Sequence, residues 1–391
     1  MSYKSVSSTP LKNSVHRPHV GAGDRLSAWT TPFSLDYQES IRLAFPNVDR
    51  HRVVQVALAS LAPATRKTYG SGLLRFSQFC DLHNISEVER MPASAQLLAS
   101  FLAELAAGSV AHETAKNWLA GVHFWHTIYD AKWHGNTDLV SAVKGGVKKM
   151  APSCSHRAQR QPVTIDHIYA LRHSLSPSNS RDIAVLALAE TAFWGICRLG
   201  ELTVSSSSSF DSSYHVSMSA KYSLERNRDG AQFLKLPIPW SKTEGFVGAN
   251  IILSGREDLS NPIQSFTRHM KINGALVPST APLFSYETSS GWVSLTKTSF
   301  MDICNNIWTK AGLTCVSGHS FRIGGTTEYL LQGVPPDVVA ALGRWKSRAF
   351  LRYWRKVEEI IPTFVANSTR GESSLLSVVH TMSVYKNIHA N

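Results

Sequence analysis

The sequence predicts a mainly α-helical protein with a small antiparallel β-sheet, divided into an all-helical domain and a mixed α+β domain. Three observations carry this prediction. The chain has 391 residues, whereas single cores rarely grow past about 250. Apolar side chains recur at helical spacing on both sides of a proline-bracketed basic stretch near the middle. Short β-type runs are confined to one region, between Tyr214 and Leu253.

Residues 1–50 mix Ser, Pro and Thr without sustained periodicity, so they are expected to form a disordered leader with a short helix near Tyr37–Ala44. After His51, Tyr69, Leu73, Phe76 and Cys80 share a helical face, with Arg66, Lys67 and Arg75 around it. The Leu- and Ala-rich run Ala95–Ala107 is a second helix, stopped by Gly108, because glycine takes positive φ at little cost. A third helix, Glu113–Tyr129, has Trp118, Leu119, Val122, Trp125 and Tyr129 on one face. A fourth, Thr137–Met150, sets Leu139, Val140, Val143 and Val147 opposite Lys144, Lys148 and Lys149. Residues 51–152 thus read as an all-helical domain. Residues 153–164, with Arg157 and Arg160 and no acid, read as a basic linker.

Residues 165–365 read as the mixed domain. It opens with helices Ile165–Ser174 and Arg181–Cys197, then a serine run, Ser205–Ser209. Three strands are expected at Tyr214–Ala220, Ala231–Ile238 and Ala249–Leu253. Helices resume at Leu295–Ala311 and continue to about Ile360, with Pro335 and Pro336 starting a fresh one after Gly333. Residues 366–391 are a Ser-rich tail, a candidate for exchange between protomers.

Composition narrows the function classes. With 43% apolar and 17% charged residues, the chain can pack an interior and carries too little charge for full disorder. The net charge of +12 favours a polyanionic partner such as nucleic acid. Five scattered cysteines without CxxC spacing fit a reducing, intracellular setting. The first residues lack the apolar core of a secretory signal, and no apolar run of about 18 residues suggests a membrane span. No HExxH or comparable cluster points to a metal, and no cofactor is expected.

Four short motifs stand in the second half: Cys197-Arg198-Leu199-Gly200-Glu201, Trp240-Ser241-Lys242-Thr243, Gly318-His319-Ser320-Phe321-Arg322, and Gly343-Arg344-Trp345 followed by Leu351-Arg352-Tyr353. Singly each is weak, since an Arg and a Glu three apart are usually a solvated pair and a turn lysine is usually plain surface. In this order they resemble the tyrosine recombinase (phage-integrase-like) family, whose pattern is Arg, a hairpin Lys, HxxR, His or Trp, then Tyr. GHSFRIGGTT and LGRWKSRAFLRYWR look most like the recombinases of eukaryotic Crypton and DIRS-type mobile elements. The resemblance covers about residues 52 to 360, loosely in the helical half. It implies a SAM-like helical core-binding domain and an α+β catalytic domain that clamp duplex DNA, acting as four protomers on paired sites.

The residue types suit the chemistry that the resemblance implies. A phosphodiester in transfer needs its equatorial oxygens stabilised by cations or a metal, and two planar guanidiniums do this without one. Arg198 and Arg322 are the candidates. His319, three residues before Arg322, suits proton exchange. Tyr353 is the implied nucleophile, forming a 3′-phosphotyrosyl link. Its phenol is weak until the proton is removed or the anion stabilised, and Arg344, Lys346, Arg348, Arg352, Arg355 and Lys356 surround it in an acid-free stretch. Lys242 is the implied proton donor to the leaving 5′-oxygen, with mid-strand Lys235 its rival. Glu201 is expected to buttress Arg198. The family's His or Trp lies nine residues before the tyrosine, where this chain has Arg344, with Trp345 eight before. Either can fill the position, and Trp345 is preferred because an indole packs and donates its N–H. Tyr329 reads as core.

Phosphate contacts are expected from Arg66, Lys67, Arg75, Lys116, Lys144, Lys148, Lys149, Arg157 and Arg160. The alternatives are a catalytically silent, recombinase-derived DNA-binding protein and a type IB topoisomerase-like enzyme. Nuclear residence is an expectation from the mobile-element resemblance.

Overall fold

The computed structural model describes residues 11–155 and 158–368. The chain divides into two compact units between Ala158 and Gln159. Arg157 and most of the tail, 369–391, lie outside the described residues. Among the described residues, no helix is long and apolar enough to cross a membrane. The fold is mainly helical, with two small antiparallel sheets.

The first unit holds α1 (Arg25–Ala28), α2 (Pro32–Ala44), α3 (Arg50–Ala59), α4 (Pro63–Leu82), α5 (Ala95–Leu105), α6 (His112–Thr127) and α7 (Asp138–Lys149). Its core gathers Leu73, Phe76, Val122, Trp125, Val140 and Val147 from the faces that the helical periods single out, with Phe101 beside them, whereas Leu139, expected on the same face as Val140, is 45% exposed. Glycines set how closely α4 and α6 cross. A Cβ on Gly72 would lie 2.7 Å from the Trp118 carbonyl oxygen, and one on Gly121 would lie 2.3 Å from that of Tyr69.

The expectation of a disordered leader over 1–50 is corrected from residue 11 onward. Leu26 and Trp29 are fully buried in the core, and the Trp125 indole N–H donates to the Trp29 carbonyl at 2.9 Å. Arg17 pairs with buried Asp81 at 2.9 Å, and Arg90 reaches the same carboxylate at 2.7 Å. The sequence hid this docking because its few apolar anchors have no period, and the partner of Arg17 lies 64 residues away.

The second unit opens with α8 (Ile165–Ser174), α9 (Ser180–Trp194) and the short α10 (Leu199–Leu202). Strands β1 (Ser223–Arg226), β2 (Gln232–Ile238) and β3 (Ala249–Ser254) form an antiparallel sheet with β2 central. After it come α11 (Pro262–Leu276), the hairpin β4 (Ser285–Thr288) and β5 (Gly291–Ser294), α12 (Lys297–Lys310), α13 (Ser320–Leu331) and α14 (Pro336–Leu342). A 3-10 turn, Arg348–Tyr353, and α15 (Val357–Ser368) complete it. The core is built on α9, whose Phe193 and Trp194 are fully buried.

Three expectations change here. Tyr214–Ala220 is not a strand. Its alternation buries Val216 and Met218, but Ser217 makes only an isolated bridge to Pro282, and the edge strand β1 follows it. The helix expected over Arg181–Cys197 stops at Trp194, because Ile196 takes a φ of 47°. The helical run expected through Tyr353 is a 3-10 turn between α14 and α15. In addition, α11 and the β4–β5 hairpin have no counterpart in the sequence reading.

Candidate active site

The site starts from how α13 sits on α9. A Cβ on Gly324 would lie 2.0 Å from the Val163 carbonyl oxygen, and one on Gly325 would lie 2.0 Å from that of Phe193. Only glycine permits this approach, which brings the N-terminal half of α13 against both the Val163 backbone and the end of α9. Arg322 therefore points inward and is fully buried. Its two Nη atoms donate to the carbonyls of Ile196 and Gly343, each at 2.6 Å. Its Nε is buried without a hydrogen-bond partner. Burial, then repulsion from Arg198, pulls the guanidinium down to about 10.

Aromatic rings converge on that guanidinium. Its carbon lies 3.9 Å from the centre of the Trp345 ring and 5.9 Å from that of Tyr353, a favourable placement of cation over π-face. The Trp345 and Tyr353 centroids are 5.3 Å apart, and His319 lies 5.1 Å from Tyr353. His319 is the N-cap of α13, one position outside the helix that carries Arg322. Burial, then the charges of Arg160, Arg322, Arg198 and Lys297, lower its imidazole to about 4. The ring is thus neutral near pH 7, and the same surroundings weaken it as a base.

A second cluster is organised by Glu201. Its Oε1 accepts from Arg198 Nη1 at 2.9 Å, and its Oε2 accepts from Arg344 Nη2 at 2.8 Å. Burial pushes the carboxyl up, but Arg344 and Arg198 outweigh it and hold the group below its usual range. Arg344 also donates to the carbonyls of Gly195 and Leu342. Its side chain is 9% exposed, while that of Arg198 is 25% exposed. Arg344 is therefore turned into the protein, and Trp345 is the residue set against Arg322 and Tyr353.

Lys242 stands exposed in the β2–β3 connection, where Ser241 and Gly245 pair across a tight turn. Among the described residues, no hydrogen bond or ion pair holds its side chain. Its turn is nevertheless joined to the Trp345 segment, because Lys346 pairs with Glu244 at 2.8 Å. Lys235 is exposed on β2. Tyr329 is buried, and its hydroxyl donates to the Trp194 carbonyl at 3.1 Å. Lys297, at the start of α12, and Arg160 add charge near His319. The sequence reading missed Lys297, since a lone lysine between a strand and a helix carries no signal of what folds beside it.

Of the cations expected to meet phosphate, Lys67, Lys116, Lys148, Lys149 and Arg160 are exposed, whereas Arg66, Arg75 and Lys144 are partly buried. Arg75 donates to Gln78, Arg66 to the Leu61 carbonyl and Lys144 to that of Gly135. Among the described residues, no group of three or more His, Cys, Asp or Glu is placed to hold a metal ion.

No protein-family model matches the chain, and a search of curated proteins gives no match. Among solved structures, the chain aligns with a Tn1549 transposon integrase in complex with transposon right end DNA, at 14% identity and a TM-score of 0.48, over 88% of this chain and 99% of that one. It aligns with the XerH site-specific recombinase in a post-cleavage complex, at 10% identity and a TM-score of 0.48, over 85% and 89%. A lambda integrase dimer bound to a core site aligns at 15% identity and a TM-score of 0.43, over 80% and 91%.

Proposed function

We propose that this chain is a site-specific DNA recombinase that cuts and rejoins duplex DNA through a 3′-phosphotyrosyl intermediate. The observation that carries the reading is the cluster in which the Arg322 guanidinium lies over the Trp345 and Tyr353 rings while His319 packs against Tyr353. In the proposed step the Tyr353 oxygen attacks phosphorus, and His319, its basicity raised once the phosphate charge offsets the surrounding cations, takes up the phenolic proton. Arg198, with the buried Nε of Arg322, stabilises the phosphate oxygens. The bond to the 5′-oxygen breaks, and Lys242 supplies its proton. Attack by a partner strand's 5′-hydroxyl reverses the chemistry, so the bond energy is kept and no nucleotide hydrolysis enters.

Four protomers on paired sites, a role in moving a mobile element and nuclear residence belong to the same proposal. A nicked suicide duplex carrying the element's end sequence tests it. Wild type should give a covalent adduct that survives SDS, and Tyr353→Phe should give none. An undiminished adduct in that variant overturns the assignment of the nucleophile.

One observation favours a second reading, a DNA-binding protein that no longer cuts. Both Nη atoms of Arg322 are already held by carbonyls, and Trp345 covers the group. Tight DNA binding with no adduct on any nicked substrate would select that reading.

A further inference from the structure

One departure from close packing in the first unit lies between α6 and α7. A cavity of about 430 Å³ opens there, within the range of small-molecule sites. Its apolar side is made by Leu102, Leu119 and Val147, and Lys116, Lys144 and Lys148 also line it. No acidic residue lines it. Lys144 donates only a long bond, 3.3 Å, to the Gly135 carbonyl, and Lys116 stands 4.0 Å from Glu113. Among the described residues, no carboxylate pairs with Lys144 or Lys148. The cavity therefore combines apolar surface with positive charge that the protein does not itself neutralise.

Three further observations point to a ligand. His112 lines the cavity, and its Nδ1 is buried without a hydrogen-bond partner, a state that native structures seldom leave unmet. His123 and Trp133, both lining residues, stack at 4.4 Å with their planes 19° apart, which fixes a flat aromatic pair at the cavity. Gly145 and Gly146 lie inside α7, where glycine weakens a helix. A Cβ at either would meet nothing within 4 Å, and neither takes a positive φ. Packing and backbone conformation thus give no reason for these glycines, whereas a bare helix face at Gly145 keeps the cavity open.

We propose that this cavity binds a small organic anion with an apolar body, such as an aryl or alkyl carboxylate or sulfonate. The apolar body lies against Leu102, Leu119 and Val147. The anionic head is held by Lys144 and Lys148. The site is independent of the Tyr353 chemistry, so either reading can fail without the other.

Fluorescence titration of the full-length chain with 8-anilinonaphthalene-1-sulfonate tests this, with uncharged N-phenyl-1-naphthylamine as the comparison. One saturable site per chain is expected, with the neutral analogue at least tenfold weaker. Gly145→Leu should weaken the sulfonate at least tenfold while leaving the thermal melt unchanged or higher, since the new side chain enters open space. Lys144→Ala with Lys148→Ala should weaken the sulfonate and spare the neutral analogue, and this pair decides the question should Gly145→Leu fail to fold. Equal affinity for the two probes, or undiminished sulfonate binding in these variants, overturns the proposal. Loss of duplex DNA binding in the double variant with sulfonate binding intact also overturns it, assigning the lysines to the polyanion.

Discussion

Two residues beside Arg322 occupy backbone conformations that their side chains disfavour. Ile196 has a φ of 47° and Arg344 a φ of 58°, and such positions cost of order 1–3 kcal/mol and persist only where neighbours enforce them. The Ile196 carbonyl accepts from Arg322, and Arg344 is clamped by Glu201 and two carbonyls. This separates the roles of two adjacent residues. Arg344→Met leaves Glu201 buried with only Arg198, so a loss of about 3–5 kcal/mol is expected, read as a lower midpoint in urea unfolding. Trp345→Ala removes the ring over Arg322 without stranding a charge. It should slow adduct formation at least tenfold while costing less stability than Arg344→Met. Equal stability losses in the two variants would refute the division.

At the scale of elements, the site depends on how α13 lies on α9. Gly324→Ala places a methyl group 2.0 Å from the Val163 carbonyl, so the helix must move, at a cost of at least 1–3 kcal/mol by analogy with overpacked cores. Gly146→Ala in α7 enters open space and should stabilise by about 1 kcal/mol. Thermal melts of the pair check both signs. The same scale shows where sequence patterns stop being informative. Helix α8 was legible to its ends, since Thr164 caps it and its apolar face is regular. Helix α11 was not, although Asn261 caps it and Pro262 opens it. Its buried face includes His269 and Asn273, which are tolerated inside because His269 donates to the Leu283 carbonyl and Asn273 donates to that of Ser180. Polar residues satisfied by distant partners break the apolar period that announces a helix.

For the whole molecule, buried neutral histidines make stability depend on pH. His126 accepts from the Ala93 N–H and donates to the Val122 carbonyl, while His269 accepts from Asn273 and donates to Leu283. Each ring is thus used in its neutral form, and burial above all lowers both to about 4. The unfolded chain, near 6.5, takes up the protons first. Stability present above pH 6.5 is therefore lost as pH falls toward 4, by roughly 3 kcal/mol for each fully buried ring. His319, only half-buried, should contribute less. Urea midpoints at pH 7, 5.5 and 4.5 should fall in that order, and a midpoint constant over this range would rule the account out.

The sequence by itself determined the helical class, the region of the three-stranded sheet, and the order of Arg198, Lys242, His319, Arg322 and Tyr353, because residue type and local period are properties of the chain. Only the tertiary structure decided that Arg344 serves Glu201 while Trp345 faces the tyrosine, that the leader from residue 11 docks into the first unit, and that Lys297 stands near His319. Those outcomes rest on buried charges and donors finding partners far away in the chain, which no local pattern encodes.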